Sequence, residues 1–161
     1  MRHPSIEFNY TVTTTISRPQ LRDALAHVRD LLLDHEINDG DRKLRMERIC
    51  DTTNFCGNSC GTAACIGGWA SLFLMGFEVA ANVDQRCSAE RLFMRLLELE
   101  TTQRAKSRLR KLFYGFDNTA DFDVPNVAAT AIQRYLDGYA PWPSGEMPDV
   151  LPYRRRAPKK N

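Results

Sequence analysis

The chain has 161 residues, 43% hydrophobic and 26% charged, the size and composition of one globular domain, which excludes a wholly disordered polymer. No apolar run reaches the roughly 18–20 residues of a membrane span, and Met1–Tyr10 lacks the apolar stretch of a signal peptide; no membrane partner and a cytoplasmic location are therefore expected. Of 22 Lys+Arg and 20 Asp+Glu, five bases and two acids fall in Pro141–Asn161, which leaves 17 and 18 and a body of net −1, so the basic excess belongs to the tail.

Phe8, Tyr10, Val12, Thr14 and Ile16 alternate with polar residues, a period-two pattern that predicts an N-terminal strand. Ser17 and Gln20 then have the spacing of a capping box, Ile16 and Leu21 that of a hydrophobic staple, and Pro19 fits a first helical turn. Leu21, Ala24, Leu25, Val28, Leu31 and Leu32 follow on one helical face, and the helix should end near Glu36. Asn38-Asp39-Gly40-Asp41 is a turn signal, Lys43–Cys50 a weak second strand, and Asp51–Gly61 a loop.

Thr62 is the expected cap of a second helix, and Ala63–Met75 carries no charge. A helix apolar on every side belongs at the centre of a core, and Gly76 is placed to end it. A third helix, capped by Ser88, should turn Leu92, Phe93, Leu96 and Leu97 inward and break near Glu100. Thr101 or Thr102 caps a basic helix to Tyr114; Gly115–Asp123 reads as an acidic loop. Asp123 is the expected cap of the last helix, with Pro125 in its first turn, Val127, Ala128, Ala131, Ile132, Tyr135 and Leu136 inward, and Gly138 at its end. From Pro141, five prolines in eighteen residues exclude regular structure, yet Trp142, Met147, Val150, Leu151 and Tyr153 punctuate the segment as apolar anchors. The pattern predicts a mainly α fold: a single domain of about five helices around a central apolar helix, with a small N-terminal β element. Residues 1–140 form the helical domain, and residues 141–161 a Pro-rich arm with a basic end.

The segment from Cys56 to Trp69 concentrates the cysteines. Cys65 would fall at the third helical position, where unpaired backbone amides favour a thiolate, whereas burial beside Ile66 and Trp69 opposes one. Three roles remain open: small core residues; a zinc or iron–sulfur site drawn from Cys50, Cys56, Cys60 and Cys65; or thiol redox chemistry at Cys60 and Cys65. The spacings of five, three and four intervening residues are not the close pairs usual for those metals. No cofactor is the first expectation. A papain-like cysteine site is excluded by chain order, since His3, His27 and His35 all lie upstream of Cys65. Asp117, Thr119, Asp121 and Asp123 imitate the start of a calcium loop, but Phe122 stands where glycine is needed and Ala128 where the bidentate glutamate belongs.

Gln103–Phe113 carries Arg104, Lys106, Arg108, Arg110 and Lys111 without an acid, and Arg104, Arg108 and Lys111 share one stripe, as contact with phosphates requires. A solvated helix face explains the same run. Arg154, Arg155 and Arg156 are the corresponding candidates in the tail, for nucleic acid or an acidic partner, with Trp142 and Tyr153 as partner anchors.

Cys60-Gly61-Thr62-Ala63-Ala64-Cys65-Ile66-Gly67-Gly68-Trp69 resembles a C-G-T-x-x-C-I-x-G-[WH] signature of small bacterial and phage proteins whose activity is uncharacterised. Leu96-Leu97-Glu98-Leu99 followed by Leu112-Phe113-Tyr114 is similar to that group's later motif, with Glu98 in place of a glycine, and Val127–Leu136 is similar to its alanine-rich helix. The resemblance covers Cys60 to Leu136 and implies a bacterial or phage cytosolic origin. It implies no activity; Cys50, Cys56 and Cys87 fall outside it. The residues lack a complete catalytic set. They point to a non-enzymatic interaction or regulatory protein with a macromolecular partner, a protein, held through the arm or the basic helix. A cysteine-centred metal or redox protein and a nucleic-acid-binding protein are the alternatives.

Overall fold

Ser17 starts the first helix in the way its sequence dictates. In the computed structural model, which describes residues 16–37, 42–44, 62–64, 66–81, 95–114 and 124–156, α1 spans Arg18–Leu33. The Ser17 hydroxyl accepts from the Gln20 amide, and the Gln20 side chain accepts from the Ser17 amide, so two amides without intrahelical partners are satisfied reciprocally. All six apolar residues of the predicted face are buried, and Ile16 packs half-buried against them. The helix closes with Glu36 N–H on the Leu31 carbonyl and His35 N–H on the Leu32 carbonyl, which places His35 in the left-handed region at φ 57°.

The expected N-terminal β element finds no support: Phe8–Thr15 lies outside the described residues, and Ile16 is in no strand. The strand pairing among the described residues is a short parallel pair, β1 (Arg42–Leu44) and β2 (Thr62–Ala64), with Lys43 opposite Ala63. Thr62 therefore belongs to a strand and not to a helix cap. The next helix, α2 (Ile66–Ala81), starts three residues later than the expected Ala63 and runs through Gly76. A glycine inside a helix costs only about 1 kcal/mol relative to alanine, too little by itself to stop one. Ile66, Gly67, Gly68, Trp69, Ala70, Ser71, Phe73 and Leu74 are all buried, and their positions go right round the helix. The one hydroxyl among them, on Ser71, donates to the Gly67 carbonyl at 2.7 Å and so needs no outside partner.

A helical turn at Arg95–Leu97 buries Leu96 and Leu97 and breaks at Glu100, as expected. Thr102 then caps α3 (Gln103–Tyr114), its hydroxyl accepting from the Ala105 amide at 3.1 Å. The last helix, α4 (Pro125–Leu136), carries the predicted proline in its first turn and ends at Gly138, φ 90°. Tyr139 N–H on the Arg134 carbonyl and Gly138 N–H on the Tyr135 carbonyl complete the same closing motif as in α1, here with the glycine that such a position favours. Asp123 is not its cap: the flanking residue is Val124, whose side chain makes no capping bond. The layers are simple. α1 packs on α2 and α4, while α3 lies against α2 and α4, and all four helices contribute to one continuous apolar cluster. The described fold is mainly helical.

Candidate interaction surface

The Pro-rich arm packs on its own domain. Pro141 and Trp142 are buried, the indole N–H donates to the Leu112 carbonyl near the end of α3, and Met147 is 5% exposed. Thr130 Oγ1 accepts from the Leu151 amide at 2.9 Å, and Asn126 Nδ2 donates to the Leu151 carbonyl at 3.2 Å. The Tyr153 hydroxyl accepts from the Asn126 amide at 3.4 Å. That amide sits in the first turn of α4, so the arm supplies the cap that Asp123 was expected to provide. The Tyr153 ring stacks on His35 at 3.9 Å, just beyond the end of α1.

Two tail arginines are also engaged within the chain. The Arg154 amide donates to the Leu33 carbonyl at 2.9 Å. Its guanidinium grips both carboxylate oxygens of Asp34 at 3.1 Å and reaches Asp30 at 3.1 Å. Arg155 approaches Glu36 at 3.8 Å. Cations at the end of a helix are favoured by the helix dipole as well as by these acids. Trp142 is thus buried against its own domain, and Tyr153, Arg154 and Arg155 make intramolecular contacts while keeping exposed surface. Arg156 is exposed and forms no ion pair among the described residues.

The basic helix is different. Ala105, Leu109, Leu112 and Phe113 fix the inner face of α3, and this presents Arg104, Arg110 and Lys111 to solvent with Lys106 and Arg108 half-buried at the flanks. None of the five forms an ion pair among the described residues. Arg108 Nε is buried without a hydrogen-bond partner among the described residues, an arrangement that costs about 1–3 kcal/mol and that a neutral side chain would avoid. Lys106 and Arg110 border a cleft of about 360 Å³ together with Leu97, Glu98, Gln103 and Ser107. Arg104, Arg108 and Lys111 occupy the other flank, as their spacing predicted.

Glu100, which the sequence marked only as a break between helices, is a buried carboxylate that joins three segments. It is 3% exposed, accepts a short hydrogen bond from the Tyr135 hydroxyl of α4, and accepts from Arg18 Nε at 3.1 Å at the start of α1. Two residues further on, Thr102 starts α3, so this cluster fixes where the basic helix begins. Burial, reinforced by the Glu100 hydrogen bond and charge, pushes the Tyr135 hydroxyl well above the ordinary tyrosine value. The hydroxyl therefore serves as a fixed donor.

His27 on α1 meets the Phe73 ring edge-on at 4.7 Å. Burial lowers its pKa, against the opposing pull of Asp30 and Glu36. A histidine whose folded value is depressed contributes stability above its unfolded value of about 6.5 and withdraws it as pH falls, because the unfolded chain binds the proton more readily. Urea denaturation from about pH 7 to pH 5 should show falling stability, and His27→Gln should flatten that limb. An unchanged slope in the variant would assign the acid sensitivity to other groups.

Cys50, Cys56, Cys60, Cys65 and Cys87 all lie outside the described residues. Because α2 begins at Ile66, the third-helical-position argument for Cys65 does not hold. Among the described residues no group of three or more His, Cys, Asp or Glu side chains could hold a metal ion, and no helix is long and apolar enough to cross a membrane. No family model, no curated protein and no solved structure matches this chain.

Proposed function

We propose that this protein is a non-enzymatic interaction module that holds a macromolecular partner of negative surface charge against the solvent face of α3. Support comes from a contrast in pairing. Arg18, Arg29, Arg154 and Arg155 each meet a carboxylate of their own chain, whereas Arg104, Lys106, Arg108, Arg110 and Lys111 stand together on one rigid helix with no such acid among the described residues. Clustered like charges repel one another and weaken the helix slightly; an anionic partner relieves that repulsion and is drawn in by it.

Two triple variants with the same change in net charge test this. Arg104→Glu, Arg108→Gln and Lys111→Glu are combined in one, and Arg156→Glu, Lys159→Gln and Lys160→Glu in the other. Binding to two anionic polymers, polyglutamate and a phosphodiester oligonucleotide, is measured at about 50 mM salt, where the screening length still exceeds the size of the patch. The tail variant should retain binding to at least one polymer, and the helix variant should lose it. Equal loss in both would mean that net charge alone governs binding and would sink the proposal.

A further inference from the structure

We infer that the partner of the α3 face is the phosphate backbone of a nucleic acid, followed along the stripe Arg104–Arg108–Lys111; this rests on the interaction reading above and specifies its ligand. Three features of the face carry it. First, among the described residues its solvent side carries no apolar anchor: the described exposed positions of α3 are Gln103, Arg104, Ser107, Arg110 and Lys111, and the described exposed large hydrophobic residues, Val124, Tyr139 and Val150, lie elsewhere. Protein–protein interfaces are organised around buried aromatic and aliphatic anchors and are depleted in lysine, whereas nucleic-acid interfaces are polar and strongly positive. Second, the stripe runs seven helical steps from Arg104 to Lys111, about 10 Å at 1.5 Å per residue, the length of duplex axis over which one strand carries about three phosphates. Gln103 and Ser107 beside it are the neutral donors that commonly complete backbone contacts.

Third, the two flanks of the helix are not equivalent. Lys106 and Arg110 share their cleft with the exposed carboxylate of Glu98, which repels a phosphate, whereas Arg104, Arg108 and Lys111 do not line that cleft. The strand is therefore guided along the second flank. Seating on α3 places these cations on a fixed frame, since four buried residues and the Thr102 cap hold the helix.

Fluorescence anisotropy of the full chain with a labelled duplex DNA, the corresponding single strands of DNA and RNA, and polyglutamate as the carboxylate counterpart tests this between about 50 and 200 mM salt. Three phosphate contacts give a slope of log K against log salt of about −2.7, a loss of about 40-fold across that range; engagement of all five cations would give about 500-fold. Arg104→Gln alone should reduce the slope by about one contact, and Arg110→Gln should leave it unchanged. The duplex and single-strand arms identify which form of backbone is preferred. If polyglutamate binds through α3 and no nucleic acid does, the phosphate assignment fails while the interaction module stands. If neither binds, both fail. A slope unaffected by Arg104→Gln in a variant with unchanged circular dichroism also overturns the assignment.

Discussion

Deleting Pro141–Asn161 should unfold or severely destabilise the whole domain, and Trp142→Ala should account for the largest single share, about 3–5 kcal/mol. The indole is 7% exposed and wedged at the end of α3, so its removal leaves a void that rigid neighbours cannot close. Against a typical total stability of about 5–15 kcal/mol, that one change consumes a large fraction of what holds the fold. Arg154→Ala should be much milder, about 0.2–1 kcal/mol for each ion pair, because its side chain is half exposed and water screens the contacts with Asp30 and Asp34. Urea denaturation followed by tryptophan-independent circular dichroism ranks the two. If Trp142→Ala and wild type share a midpoint, the arm does not belong to the core. The same ranking has a practical consequence: loss of partner binding on truncating the arm would report unfolding, so contact residues are better sought by point substitution in α3.

The elements legible from sequence are those whose signals are local. Ser17, Gln20 and the leucine stripe of α1 all lie within a few turns of one another, and Thr102 and Gly138 act on the helices they adjoin. The unbroken apolar run around Trp69 likewise revealed a central helix. Its ends were harder to place. Thr62 is an ordinary N-cap residue, but here its backbone pairs with Arg42, and nothing in the nearby sequence specifies that pairing. Gly76 is an ordinary stop, yet its cost of about 1 kcal/mol is small enough for the helix to run on to Ala81. Asp123 lost its expected role because Tyr153, 27 residues beyond Asn126, supplies an acceptor to the first turn of α4.

The candidate surface divides along the same line. The stripe of Arg104, Arg108 and Lys111 could be read from helical periodicity, since a surface helix displays what its inner face does not need. The pairing of the tail arginines could not. Arg154 meets Asp34 across 120 residues and Asp30 across 124, and both acids read as ordinary solvent-facing charges of α1 until the arm is folded back. The role of Glu100 has no local signal. A glutamate beside two threonines reads as a loop, and its burial makes sense only when Arg18 and Tyr135, 82 and 35 residues away, converge on it.

That convergence leads to the second large effect, at Glu100. Replacing it with alanine should cost about 3 kcal/mol, the lower end of the range for breaking a buried charged pair, because the Tyr135 hydroxyl is left buried while Arg18, half exposed, can return to water. Glu100→Gln keeps an acceptor of the same shape for Tyr135 and should lose less. Tyr135→Phe should cost about 1.5–3 kcal/mol, as the carboxylate then keeps Arg18 as a partner. The pH dependence isolates the hydroxyl. Its folded pKa lies above the unfolded value of about 10, so its contribution is complete below that pH and fades above it, as the unfolded tyrosine ionises first. The stability gap between wild type and Tyr135→Phe should therefore be constant from about pH 7 to pH 9 and shrink towards about pH 11. A gap that stayed constant through that alkaline range would mean that Tyr135 does not donate to Glu100, and that some other contact sets the turn from which α3 begins.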